Sequence, residues 1–214
     1  MTNRHGSAAT PYSPEQRPVL ALQSHRCARR RLGQNITQRK MVTAMKTCAF
    51  TGHRPEKMPW GQDENGPVGI EFKFRLREAL EYLIARGYTD FFSGGARGFD
   101  MMAAEMVLSL RETYPWIRLT MVCPWNGQAD KWDEEDRVRW QSVLEESDRV
   151  VYISGHYEKS VYFRRNAYLV DNAQLLLACY NGDSHSGTGQ TIRYAHRKGV
   201  RVSILRPERK AVPA

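Results

Sequence analysis

No run of apolar residues in this chain approaches the ~18 needed to cross a membrane, and residues 1–10 lack the apolar stretch of a secretory signal. Neither membrane association nor export is therefore expected, and a cytoplasmic location is. Cysteine is scarce: the four residues Cys27, Cys48, Cys123 and Cys179 contain no CxxC pair. The last three lie in or beside apolar strand candidates, which predicts buried free thiols in a reducing compartment. His53, His156, His185 and His196 are dispersed without metal-ligand spacing, so no tightly bound metal or cofactor is expected. The chain also lacks a G-x-x-x-x-G-K-[ST] loop, and its first strand lacks G-x-G-x-x-G. Walker-type ATP hydrolysis and standard NAD binding lose their usual sequence support.

Acidic residues are almost missing from the first 44 positions, and that absence locates the charge. The whole chain has 32 Lys and Arg against 23 Asp and Glu, a net +9. Before Met45 eight bases face the single acid Glu15, giving +7, so 24 bases and 22 acids remain beyond it, giving +2. The leader also carries Pro11, Pro14 and Pro18 among many polar residues, too little apolar surface to offset the entropy of ordering. It reads as a flexible basic arm, or as an over-extended start to a natural product beginning at Met41 or Met45. The expected division is a leader over 1–44, a nucleotide-binding domain over 45–206 and a short tail over 207–214.

Beyond the leader, apolar runs alternate with helical periodicity. Strands are expected at 47–50, 88–92, 117–123, 150–153, 175–180 and 200–205, with helices at 71–86, 101–111, 131–144, 161–170 and around 191–197. Strongly apolar strands alternating with helices predict an α/β fold: a Rossmann-like, doubly wound, predominantly parallel sheet flanked by helices. Right-handed crossovers would gather the polar loops at the carboxyl edge of that sheet.

Three of these loops have the chemistry of an anion site. Gly52, His53 and Arg54 follow the first strand, combining a glycine, a hydrogen-bonding imidazole and a guanidinium fork. Ser93 to Asp100 contains Gly94, Gly95, Arg97, Gly98 and Asp100. Its small residues could bring backbone donors and a helix N-terminus to a phosphate, with Asp100 supporting the loop or accepting from a ribose hydroxyl. Gly187, Thr188 and Gly189 precede the last helix and could meet a second phosphate or the ribose; an ordinary helix start capped by Thr188 is the competing reading. Arg165 and Asn166 add a fourth patch, for phosphate and for a base edge or loop support. Trp125, Asn126, Gln128 and Trp132 could include a base-stacking surface, although burial explains the tryptophans equally well.

Thr51 to Pro55, Ser93 to Asp100, Arg165-Asn166 and Gly187 to Thr191 together resemble landmarks of the YpsA-like, domain-of-unknown-function branch of the SMF/DprA–LOG superfamily. The resemblance covers most of residues 45–205. It implies a Rossmann-like core that binds a nucleotide or nucleotide derivative, or single-stranded DNA as in the DNA-processing branch, and it implies a homo-oligomer. The LOG-like branch contains phosphoribohydrolases with a Pro-Gly-Gly-x-Gly-Thr-x-x-Glu motif. Here the matching stretch offers Thr191, Ile192 and Arg193 where the acid would stand, so that mechanism lacks its carboxylate. Binding or sensing of a small nucleotide is the leading expectation, with nucleotide hydrolysis and single-stranded DNA binding as alternatives. Any further nucleic-acid affinity is expected to be weak, salt-sensitive and carried by the leader.

Overall fold

The computed structural model describes residues 45–208. The leader over 1–44, with Cys27 and the basic run Arg29-Arg30-Arg31, lies outside the described residues, as do residues 209–214.

The strands form where apolar residues are concentrated. β5 (Leu175–Cys179) is buried throughout and β1 (Lys46–Gly52) beside it is buried from Cys48 to Thr51, while β2 (Tyr88–Ser93) and β3 (Arg118–Cys123) flank them on one side. β4 (Arg149–Tyr152) and β6 (Arg201–Leu205) are the edges, and each brings an exposed arginine at its start. That pattern suits an edge, where charge discourages pairing with another chain. The order is β4-β3-β2-β1-β5-β6 and every neighbouring pair is parallel.

A buried parallel sheet needs apolar residues on both faces, and side chains alternating along each strand supply them. Cys48 and Phe50 of β1, with Leu175 and Leu177 of β5, enter one core. There they meet α1 (Pro67–Ile84) through Phe72, Leu76 and Leu80, and α2 (Phe99–Leu110) through Phe99, Met102 and Val107. Trp140 and Val143 of α3 (Glu134–Glu146) complete that layer. Ala49, Leu176 and Ala178 face the opposite way, toward Leu169 and Val170 of α4 (Val161–Asp171) and Ile192 and Ala195 of α5 (Gly187–Arg197). The doubly wound parallel fold expected from the sequence is the fold observed.

The helix starts differ from expectation in an informative way. α1 begins at Pro67 instead of within the 71–86 periodic segment, because proline is well suited to the first helical turn. α5 begins at Gly187, so the glycine-containing stretch read as a loop is its first turn. Its cap is Ser186, whose side chain accepts from the Gly189 N–H at 3.1 Å, and not Thr188. The acid-rich start of α3 serves its helix: Asp133 caps it by accepting from the Asp136 N–H at 2.9 Å.

Gly98, the N-cap of α2, locks the first two polar loops together. Its φ is +85°, the Phe99 N–H donates to the His53 carbonyl at 3.2 Å, and a Cβ on Gly98 would stand 2.6 Å from that carbonyl oxygen. Backbone strain of this kind costs about 1–3 kcal/mol, so Gly98→Ala is expected to lower the urea midpoint without changing the m-value. An unchanged midpoint would show that the two loops separate freely.

Candidate functional site

The strand order reverses between β1 and β5. The chain runs outward from β1 to β4, returns through α4 and re-enters the sheet on the other side of β1. Loops leaving neighbouring strands toward opposite faces open a crevice at their carboxyl ends, the usual ligand position in such sheets. A cleft of about 250 Å³ lies there, walled by residues after β1, at the start of α2, on α4 and at the start of α5.

Its floor is an ion pair. Arg165 of α4 and Asp100 of α2 are 5% exposed each, with Nη1 3.3 Å from Oδ2. Asp100 also accepts from the Ala96 N–H. Burial pushes the Asp100 carboxyl above the usual carboxylate range, and the neighbouring Arg165 and Arg54 charges pull it back. Arg165 is pushed down by burial; Asp100 counters this, whereas Arg54 adds to it. Gly94 makes the pair sterically feasible, since a Cβ there would overlap the Arg165 guanidinium.

Above this floor the cleft is rich in donors. Arg54 is half-buried, and among the described residues its side chain makes no hydrogen bond or ion pair, although its charge acts on both Asp100 and Arg165. The first N–H groups of a helix have no intrahelical acceptor, and Ser186 satisfies only that of Gly189. Among the described residues the Gly187 and Thr188 amides thus have no acceptor, and both residues border the α5 end of the cleft. Gly187 has open space where a Cβ would sit. Arg165 Nε is buried and has no hydrogen-bond partner among the described residues.

His53 ties this edge together and does not project freely. It is 2% exposed, and its Nε2 lies 2.8 Å from Asn181 Oδ1 and 3.2 Å from the Asn181 backbone nitrogen. Either ring tautomer therefore has a partner, donating to the amide oxygen or accepting from the N–H. Burial holds the imidazole below its ordinary pKa of 6.5, against the opposing bond to Asn181. Lys57 reaches across the same gap to Asp183 at 2.7 Å.

Of the residues singled out from sequence, Gly52, His53, Arg54, Asp100, Arg165, Asn166, Gly187 and Thr188 all border the cleft. Asn166 donates to Thr191 Oγ1 at 3.0 Å and so fastens α4 to α5. Gly94, Gly95, Arg97, Gly98 and Gly189 are not among the lining residues. Arg97 forms ion pairs with Glu56 at 3.0 Å and Asp136 at 3.1 Å. Gly95, at φ +60°, packs near Met121 and Trp140, and its carbonyl accepts from Gln128 Nε2 at 2.5 Å. A Cβ on Gly189 would meet the Asp183 carbonyl oxygen at 2.8 Å, and one on Gly52 would overlap Phe99. The glycine-rich segments thus act largely by close packing, which brings charged side chains from other elements together.

Lys57 and Tyr162 border the cleft but were not among the site residues proposed from sequence. A signal for Tyr162 was available: it precedes Arg165 by three residues and Asn166 by four, which places all three on one helical face. The tryptophans divide. Trp132 packs on Trp140 and the core, whereas Trp125 lies edge-to-face with Tyr157 and Tyr162. Among the described residues no three His, Cys, Asp or Glu side chains converge as metal ligands, and no helix is long and apolar enough to cross a membrane. Cys48, Cys123 and Cys179 are free and buried; burial raises all three thiols, that of Cys123 to about 12. Asp100 is the sole carboxylate lining the cleft among the described residues, and Glu105 is engaged by Arg139.

The family model described as YpsA, the YspA SLOG family, matches residues 48–209. A UPF0398 protein of Bacillus velezensis is 27% identical over 157 residues, covering 72% of this chain and 85% of the relative. One from Bacillus thuringiensis strain Al Hakam is 28% identical over 158 residues, with the same two coverages. Among solved structures, DNA processing protein A from Helicobacter pylori, described for its single-stranded DNA binding mode, matches with a TM-score of 0.52. That match has 18% identity and covers 78% of this chain and 67% of the other, a likeness of fold.

Two outcomes are expected from the cleft's electrostatics. Arg165→Met strands a buried carboxylate and should cost about 3–5 kcal/mol in urea denaturation, whereas the double variant Asp100→Leu/Arg165→Met recovers most of that loss. Additive losses would refute the coupling. For His53 the folded pKa is depressed, so the unfolded chain binds more protons as the pH falls below the ordinary value of 6.5. This stability contribution is complete above that value and is lost toward the folded pKa. Melting temperature should therefore drop more steeply between about pH 7.5 and about pH 5.5 in the parent than in His53→Gln. Parallel profiles would remove His53 from the account.

Proposed function

The chain belongs to the YspA SLOG family, and from that premise we propose that its switch-point cleft binds the phosphate of a nucleotide or nucleotide derivative. The observation that carries this reading is Arg54, a half-buried guanidinium without a side-chain partner among the described residues. It stands beside a second arginine whose charge is already met by Asp100. An anion entering here relieves the repulsion between Arg54 and Arg165 and accepts from the Arg54 fork and the first amides of α5. In this reading Thr188 and Asn166, which border the cleft, take the ribose hydroxyls. A sensing role would need a second state of the protein that the ligand favours.

A hydrolytic reading finds less support. Departure of a base requires an acid or a stabilising carboxylate at the bond being broken, and Asp100 is already committed to Arg165. Single-stranded DNA is the stronger second reading, favoured by the shared fold with a protein described for binding it. Both ligands present the same sugar-phosphate chemistry, and their behaviour in solution separates them.

Isothermal titration of the full chain with AMP, ADP-ribose, a cyclic nucleotide and an oligo-dT strand distinguishes these readings. Saturable binding of at least one small nucleotide is expected, with Arg54→Ala weakening it about tenfold or more, the worth of one charge-assisted hydrogen bond. Tighter binding of oligo-dT, equally dependent on Arg54, would promote the DNA reading. Absence of binding to all four would overturn the cleft assignment.

A further inference from the structure

Three aromatic rings gather next to the cleft without entering the core. Trp125 leaves the carboxyl end of β3, Tyr157 lies between β4 and α4, and Tyr162 occupies the first turn of α4. Their ring centroids are 5.3 Å apart for Trp125–Tyr157 and 5.5 Å apart for Trp125–Tyr162, at interplanar angles of 73° and 76°. Each tyrosine meets the indole edge-to-face, leaving aromatic surface outward, and Tyr157 is 60% and Tyr162 38% exposed. Tyr162 also lines the phosphate cleft, on the same helical face as Arg165 and Asn166.

The polar contacts around these rings brace the loop that presents them. Ser154 donates to Glu158 Oε1 at 2.7 Å, Arg164 Nη1 donates to Glu158 Oε2 at 2.7 Å, and Arg164 Nη2 donates to the Ile153 carbonyl at 3.1 Å. Glu158 follows Tyr157 directly, so Arg164 is a positioning residue that holds this loop to α4. A rigid aromatic surface loses little conformational entropy when a planar group stacks on it. Hydrogen-bonding capacity lies alongside in the exposed Asn126 amide and in the Asn166 amide oxygen, whose nitrogen is already bonded to Thr191.

We propose that the Trp125–Tyr157–Tyr162 cluster is the base subsite of the nucleotide whose phosphate occupies the Arg54 cleft, an inference that rests on the phosphate reading above. Arg54 and the α5 amides take the phosphate, the ribose spans toward Asn166, and the base stacks on the tyrosine surface. Stacking tolerates any base because every base has a π-face, so the site discriminates base from no base more strongly than one base from another.

Titrating the full chain with AMP and with ribose 5-phosphate separates the two assignments. AMP is expected to bind about tenfold or more tightly than ribose 5-phosphate, the advantage a stacked base confers. In Tyr157→Ser, a change at an exposed position, and in Tyr162→Leu that affinity ratio should fall toward one, while Tyr162→Phe retains it. Equal affinities in the parent, or an undiminished ratio in both Tyr157→Ser and Tyr162→Leu, would overturn the base subsite and leave the phosphate cleft standing. No binding of either compound would sink both.

Discussion

A charge removed from water must be met by another, and in this protein that demand falls on Arg165 and Asp100. They come from α4 and α2, on opposite faces of the sheet, and meet beyond its carboxyl edge. An isolated guanidinium or carboxylate at 5% exposure would carry several kcal/mol of desolvation, on the order of the stability margin of a small domain. Their meeting needs Gly94 to lack a side chain, and the Ala96 N–H to point at Asp100. The pair thereby links the backbone path of the glycine-rich segment to the position of α4.

The remaining cleft features follow from that anchor and from the strand order. With Arg165 neutralised by Asp100, Arg54 is the surplus cation, and the sheet's reversal between β1 and β5 leaves it in a crevice instead of on an open surface. His53 with Asn181, and Lys57 with Asp183, tie the segment after β1 to the segment after β5. Both walls of the crevice are therefore held before a ligand arrives, which reduces the ordering cost of binding. Tyr162 borders the same crevice on the helical face of Arg165 and brings the aromatic cluster up to it.

Much of the fold could be read from periodicity. The apolar run Leu175 to Cys179 is too continuous for a half-exposed strand and requires cover on both faces, while Phe72, Leu76 and Leu80 recur at helical spacing. The start of α5 was harder to read: Gly187 and Gly189 look like loop residues until Ser186 is seen accepting from Gly189 and setting the first turn. At the candidate site, Gly52, His53, Arg54, Arg165 and Thr188 could be singled out by type and position after strands or near helix starts. Glycine alone could not reveal its task. A Cβ on Gly187 would meet open space, whereas Gly52, Gly95 and Gly189 make room for packing.

The sequence by itself determined the alternation of strands and helices, the concentration of polar loops at one edge and the location of the excess positive charge, since these depend on local pattern and composition. Only the tertiary structure decided which charges were already paired. Arg97 and Arg54 are equivalent by residue type, each beside a glycine-containing turn, yet Arg97 meets Glu56 and Asp136 while Arg54 meets neither an acid nor an acceptor among the described residues. Partners 39 and 41 residues from Arg97, and the 65 residues between Asp100 and Arg165, leave no local signature. Such pairings arise when helices on the sheet bring distant side chains within hydrogen-bonding distance, and the cation left without a partner is then the one available to a ligand.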